Sequence, residues 1–214
     1  MKNKHLSFFA DGIMSGVLLC IGCAVSLSVD SKIVGAFLFS LGLFAIITFK
    51  FGLYTGKAGY MAMRPPSYII EVILTILGNI AGSALGGGLL SLTKLGGKIY
   101  EHSAELIGTK TADSMLSAFI LAVFCGILMF TAVEGNKQAT ERGNFTGGLF
   151  IVVLPVMVFI LCGFNHSIAD LSYFFISRCA YAAEFVPYIL IVILGNAVGC
   201  MAIPLIKKLS TNKL

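Results

Sequence analysis

Charge is scarce in this sequence. Lys, Arg, Asp and Glu make up 12% of its 214 residues, against 57% apolar residues and a mean hydropathy of +0.95. A soluble single domain does not need that much hydrocarbon, so a water-soluble catalytic module is excluded. Histidine is scarcer still, with only His5, His102 and His166. Two of these fall outside the apolar runs. His166 is thus alone at membrane depth, where an intramembrane enzyme or metal centre would need several ionisable groups together. The six cysteines, at 20, 23, 125, 162, 179 and 200, lie in or beside apolar runs and read as small hydrophobes, not as a disulfide framework. Cys20 and Cys23 have C-x-x-C spacing but no His, third Cys or βαβ pattern nearby to make a metal or redox site. A nucleotide-binding or energy-coupling motif is also missing, so primary active transport, a cofactor and a bound metal are not expected. The net charge of +5 belongs mostly to flanks that meet anionic lipid and is no sign of a nucleic-acid partner.

What is present is hydrocarbon in lengths that suit a bilayer. A spanning helix needs roughly 20 mostly apolar residues, and uncharged runs occur at 12–29, 33–49, 72–93, 114–133, 143–169 and 185–206. These predict an all-α integral membrane protein of six transmembrane helices, a single membrane domain over 1–214, with only 94–113 long enough for a substantial loop. Lys2 and Lys4 ahead of an apolar run imitate a signal peptide. Asp11 interrupts the run, however, and no A-x-A site closes it, so the first span reads as retained. Six spans put both termini on one side, with Lys2, Lys4, Lys57, Arg64, Lys137, Arg142, Lys207, Lys208 and Lys213. The other side carries Lys32, Lys94, Lys98, Lys110 and Arg178, so the positive-inside rule puts the termini in the cytoplasm.

An internal repeat organises the spans. Leu77-Gly78-Asn79-Ile80-Ala81-Gly82 in the third run returns as Leu194-Gly195-Asn196-Ala197-Val198-Gly199 in the sixth. Three spans per copy is an odd number, so the second copy, about 112–209, enters the membrane oppositely to the first, about 6–92. Such inverted repeats commonly hold a transport site at mid-bilayer. The middle span of each copy is interrupted. Lys50-Phe51-Gly52-Leu53-Tyr54-Thr55-Gly56 breaks the second, and Gly163-Phe164-Asn165-His166-Ser167-Ile168-Ala169-Asp170 breaks the fifth. Backbone freed from a helix at membrane depth must be buried in protein or line a wet cavity, so two facing breaks point to a pore.

These residues resemble the formate/nitrite transporter family over nearly the whole chain. Gly163 to Asp170 is similar to the family pattern G-F-E-H-S-[VI]-A-N, and Leu53-Tyr54-Thr55-Gly56 to its L-F-T-G loop. Lys110, with Phe119 and Cys125 following, has the spacing of a lysine that opens the family's fourth span. The resemblance implies an aquaporin-like protomer in a homopentamer, in the plasma (inner) membrane. It also implies that His166 and Thr55 form the polar centre of the pore, while Phe39, Leu43, Leu53, Tyr54 and Phe159 form apolar constrictions above and below. Lys110, Asn165, Asn79, Asn196 and Gly126 fall in the pore vicinity. Three positions depart from the pattern: Asn165 stands for the usual glutamate, Asp170 for the usual asparagine, and Gly126 for the usual asparagine after Cys125. The departures bear on the substrate more than on the fold.

The implied function is a channel or transporter for small monovalent anions, of the formate, nitrite, hydrosulfide or short-chain carboxylate class. Lys110 would concentrate anions at the mouth. His166, of a residue type that titrates near ~6.5, would give a hydrogen bond or a proton to the arriving anion, making protons a second partner. An aquaporin-like channel for neutral solutes also uses inverted three-span repeats, but the paired N-P-A tips are absent. A non-transport membrane protein is the remaining alternative.

Overall fold

The computed structural model describes residues 4–211, and Lys2 and Lys213 of the charge comparison lie outside the described residues. Every regular element among the described residues is helical. The elements are α1 (Lys4–Ser28), α2 (Lys32–Thr48), α3 (Tyr54–Ala58), α4 (Tyr68–Ser91), α5 (Gly96–Thr111), α6 (Met115–Glu141), α7 (Phe145–Cys162), α8 (Ser167–Ile176) and α9 (Ala182–Thr211), with a 3-10 turn at Gly59–Ala62 after α3. Capping residues set several starts. Ser31, Ser114 and Asn144 each accept a backbone N–H three residues on, satisfying donors that a helix N-terminus leaves free.

Five of these helices, α1, α4, α6, α7 and α9, are long and apolar enough to cross a membrane. The expected second span is shorter. Its apolar helix α2 has 17 residues, or about 26 Å at the helical rise, and stops short of the ~30 Å hydrocarbon thickness. The chain turns at 49–50 and continues inward through residues 51–53 and the short α3. The fifth run behaves alike, since α7 ends at Cys162 and α8 resumes at Ser167. Both interruptions predicted from sequence are therefore breaks in helices.

Each break turns on a left-handed residue. Gly163 has φ 71° and Lys50 has φ 58°. Glycine adopts that region freely, whereas a side chain there meets the carbonyl. Lys50 occupies, at the first break, the turn position that Gly163 fills at the second.

Close helix contacts hold the frame. α4 lies on α1 and α9 on α6, more extensively than any other pair. A Cβ on Gly82 would fall 2.0 Å from the Ile13 carbonyl oxygen, and one on Gly199 the same distance from that of Val123. The repeated L-G-N-x-x-G motif thus has a packing role in both halves, letting backbones meet where a lipid-embedded helix has no hydrophobic drive to associate.

The segment 94–113, expected as a loop, is mostly the helix α5. It is pinned over the bundle by Ser103 Oγ donating to the Tyr173 carbonyl at 2.7 Å, Lys98 Nζ to Ser28 at 2.7 Å and His102 Nδ1 to Leu27 at 3.1 Å. Lys110 consequently sits in the last turn of α5 and does not open the next span. Glu71 pairs with Lys57, and Glu134 accepts from Tyr60 and Gln138, so these membrane-edge charges are satisfied locally.

Because Lys50 is exposed, replacing it removes little packing. Lys50→Gly should stabilise the assembled protein by about 0.5–1 kcal/mol through relief of the left-handed backbone. A thermal unfolding series in detergent would read this as a raised midpoint, and a lowered one would contradict it.

Candidate functional site

The N-termini of α3 and α8 point their free backbone groups into the centre of the bundle, where two asparagines receive them. Asn79 Oδ1 accepts the Tyr54 N–H at 2.8 Å, while Asn79 Nδ2 donates to the carbonyls of Gly52 and Gly12, both at 2.9 Å. Asn196 repeats this at the other break: Oδ1 accepts Ser167 N–H at 2.8 Å, and Nδ2 donates to Asn165 and Ala122, both at 2.8 Å. Both side chains are fully buried. Each therefore satisfies the half-helix N-terminus, the backbone carbonyl two residues earlier in the break, and one carbonyl on the helix behind. Sequence placed Asn79 and Asn196 near the pore; geometry makes them the clamps of the two breaks.

Between the clamped ends lie His166 and Thr55, with His166 Nε2 3.1 Å from Thr55 Oγ1. The two breaks thus bring together side chains 111 residues apart. His166 caps α8, its Nδ1 accepting the Ala169 N–H at 3.1 Å. An Nδ1 that accepts leaves the ring proton on Nε2, so the N–H points at Thr55. The Thr55 hydroxyl can accept that bond and still donate its own proton onward. Its carbonyl is also engaged, by Cys200 Sγ at 3.0 Å.

Aromatic and aliphatic side chains close this centre. Phe159 stacks on the His166 ring with centroids 5.5 Å apart and meets Phe39 edge-on, also at 5.5 Å. Phe39, Leu43, Leu53 and Tyr54 are all buried, and the Tyr54 hydroxyl donates to the Ile193 carbonyl at 2.9 Å. Two cavities approach from outside, and neither is lined by His166 or Thr55. One, of about 150 Å³, is bounded by Lys32, Lys110, Asp170, Tyr173 and Phe159. The other, wider at about 680 Å³, is bounded by Lys4, His5, Lys57, Arg64, Glu71 and Lys137. The polar centre is thus sealed from both cavities, with Phe159 standing between it and the smaller one.

Lys110 is not a bare cation at the mouth. Its Nζ donates to Asn165 Oδ1 at 2.7 Å and lies 3.2 Å from Asp170 Oδ1, and Asp170 Oδ2 accepts the Tyr188 hydroxyl at 2.7 Å. Tyr188, carried on α9, and Cys200 were not singled out by sequence reasoning, because only the packed bundle brings them to residues far away in the chain. Gly126 faces α9, where a Cβ would stand 2.4 Å from the Asn196 carbonyl oxygen. An asparagine at 126 would force α6 and α9 apart, which explains that departure by packing. Among the described residues no group of three or more metal-ligating side chains occurs.

The fold and the site define an all-helical membrane protein with two clamped helix breaks around a buried polar centre. A match to the family described as formate/nitrite transporter runs over residues 1–207, and the chain belongs to that family. It is 24% identical over 214 residues to the uncharacterized transporter YrhG of Bacillus subtilis, covering 88% of this chain and 78% of that protein. It is 23% identical over 195 residues to the formate channel FocB of Escherichia coli, covering 80% of this chain and 66% of FocB. Among solved structures, a pentameric formate channel with formate bound superimposes with a TM-score of 0.79 at 20% identity, covering all of both chains. An ion channel of the same family gives 0.82 at 20% identity, over 94% of this chain and 88% of that one.

Asn196→Leu would leave the Ser167 N–H and the Asn165 carbonyl buried without partners, each costing about 1–3 kcal/mol, while the Ala122 carbonyl keeps its bond within α6. The variant should lose most of its assembled yield. Size-exclusion of the detergent extract checks this, and a normal yield would show that the clamp is dispensable.

Proposed function

We propose that this protein is a channel for small monovalent anions, with six spans arranged as an inverted three-helix repeat and His166 as the central hydrogen-bond donor. The observation that carries the reading is the contact of His166 Nε2 with Thr55 Oγ1, made by two helix breaks that are clamped in the same way. The matched clamps, glycine contacts and left-handed turns in the two halves support the repeat.

A bare ion costs several kcal/mol at mid-bilayer, ~2.5–3.5 kcal/mol for an ionic side chain on insertion scales. The sealing rings Phe39 and Phe159 disfavour charge, so an anion needs donors at the centre. The Nε2–H and the Thr55 hydroxyl are two such donors, and Thr55 can turn from His166 to the anion without moving backbone. Proton transfer is a separate step. For His166 to hold a second proton, Nδ1 must give up the Ala169 N–H, so a proton-linked cycle would open the cap of α8.

The named relatives, two of them formate channels, favour formate among the anions. Nitrite, hydrosulfide and short carboxylates have the size and charge of the same class. We place the protein in the plasma membrane on its family resemblance, with cytoplasmic termini on the balance of Lys and Arg. The pentameric state of the formate channel that superimposes on this chain favours a homopentamer here too. Mass measurement in mild detergent should give five subunits, where a stable monomer or trimer would count against it.

Uptake into proteoliposomes between pH 5 and 8 tests the function. Formate and nitrite should pass, while glycerol and sulfate should not, and glycerol flux without anion flux would overturn the assignment. His166→Asn keeps an acceptor for the Ala169 N–H but loses the reach to Thr55. It should assemble and carry roughly tenfold less anion, the loss expected for one donor bond. If the parental pH slope survives in the variant, His166 acts by hydrogen bonding; if the slope vanishes, it transfers a proton. Unchanged flux with superimposable profiles would remove His166 from the pathway.

A further inference from the structure

Lys110 has two oxygen partners, one from a carboxamide and one from a carboxylate. At position 165 the side chain must do two opposite things. Its Oδ1 accepts from Lys110, while its Nδ2 donates to the Ala118 carbonyl at 3.2 Å. Only an amide does both. An aspartate there would set an oxygen against the carbonyl oxygen of Ala118, at a buried site where that contact is not screened by water.

Position 170 supplies the charge that position 165 does not. One oxygen faces Lys110 Nζ and the other accepts the Tyr188 O–H, so the carboxylate offers an acceptor to each neighbour. An asparagine could hold the same two neighbours, its amide donating to the Tyr188 oxygen, but would bring no charge to Lys110. Asp170 also lies in the first turn of α8, where a negative charge is favoured by the helix N-terminus. Burial makes the pairing consequential. The side chains of Lys110 and Asp170 are 11% and 2% exposed, so their attraction is little weakened by salt, and neither charge is cheap to leave alone.

We propose that Asp170 is the positioning residue that sets how strongly the outer mouth of the pore holds an anion, by sharing Lys110 between itself and the permeating ion. Lys110 and Asp170 both border the smaller cavity, together with Phe159, the ring that covers His166. An anion entering this cavity competes with the Asp170 carboxylate for the Lys110 ammonium. The counter-charge keeps the mouth attractive without making it a trap, a condition that any conducting site must meet. Asn165 orients the same ammonium and adds no charge, while Tyr188 fixes the carboxylate from the far side. The exchange of acid and amide between 165 and 170, relative to the pattern the family resemblance implies, is then one coordinated change that leaves the mouth with a single carboxylate.

The inference rests on the anion-channel reading, and the experiment separates the two. Formate influx into proteoliposomes, with the outer mouth facing the added anion, is measured against concentration for the parent, Asp170→Asn, and Lys110→Gln/Asp170→Asn. If the parent carries no anion at all, the channel reading fails, whatever the variants do. With a conducting parent, Asp170→Asn should lower the half-saturating formate concentration roughly three- to five-fold, as expected for releasing one charge from a close pair. The maximal rate should not rise with it. The double variant, with neither charge, should return to the parental half-saturation or above. An unchanged half-saturation in Asp170→Asn, or an equal fall in the double variant, would overturn the proposal. Asp170→Asn also leaves a buried lysine without its counter-ion, and this variant alone can fail to assemble. In that event the double variant should recover parental yield and thermal midpoint, and its failure to do so would count against the pairing just as decisively.

Discussion

The molecule depends on two asparagine side chains. A helix broken inside a membrane exposes backbone N–H and C=O groups where no water can reach them, and each would cost several kcal/mol if left alone. Asn79 and Asn196 meet that cost with three hydrogen bonds apiece, one accepted and two donated. An amide is the one uncharged side chain group that can accept one bond and donate two from a single rigid plane. The third bond of each, to Gly12 or Ala122, ties the break to the helix behind it. The close glycine contacts of α1 with α4 and of α6 with α9 bring those helices near enough for this to happen.

Once the breaks are held, the centre follows. The clamped N-termini leave Thr55 and His166 facing each other, and the cap that His166 provides for α8 orients its ring. Structure and chemistry are joined at this imidazole, because the nitrogen that secures the helix is the one that would have to accept a second proton. The two short helices, of 5 and 10 residues, are too short to stand alone in water, and their geometry is a product of what packs around them. Buried rings then isolate the polar centre, with cavities of unequal size on either side.

Charge is placed as sparingly as the composition suggests. Lys57 with Glu71, Glu134 with Tyr60 and Gln138, and Lys110 with Asp170 each keep a carboxylate at the edge of the hydrocarbon satisfied by neighbours. Four of the cysteines are buried, and Cys200 donates to the carbonyls of Thr55 and Gly126, so a residue type that read only as a small hydrophobe also ties α9 to α3 and α6.

The sequence by itself determined the class, the number and rough bounds of the apolar runs, the two interruptions, and the pairing of Thr55 with His166 through the repeat and the family resemblance. These were legible because hydrocarbon length and helix-breaking residues are local properties, and because L-G-N-x-x-G occurs twice. It also marked Asn165, Asp170 and Gly126 as departures, without a reason for any of them. Only the tertiary structure decided that Asn79 and Asn196 clamp backbone, that Lys50 stands in a left-handed turn, that 96–111 is helical, and that Asp170 lies between Lys110 and Tyr188. The clamps and the Asp170 contacts rest on partners from other helices, and hydrogen-bond roles at a buried site are fixed by the atoms that arrive from elsewhere, not by the residue's own neighbours in sequence.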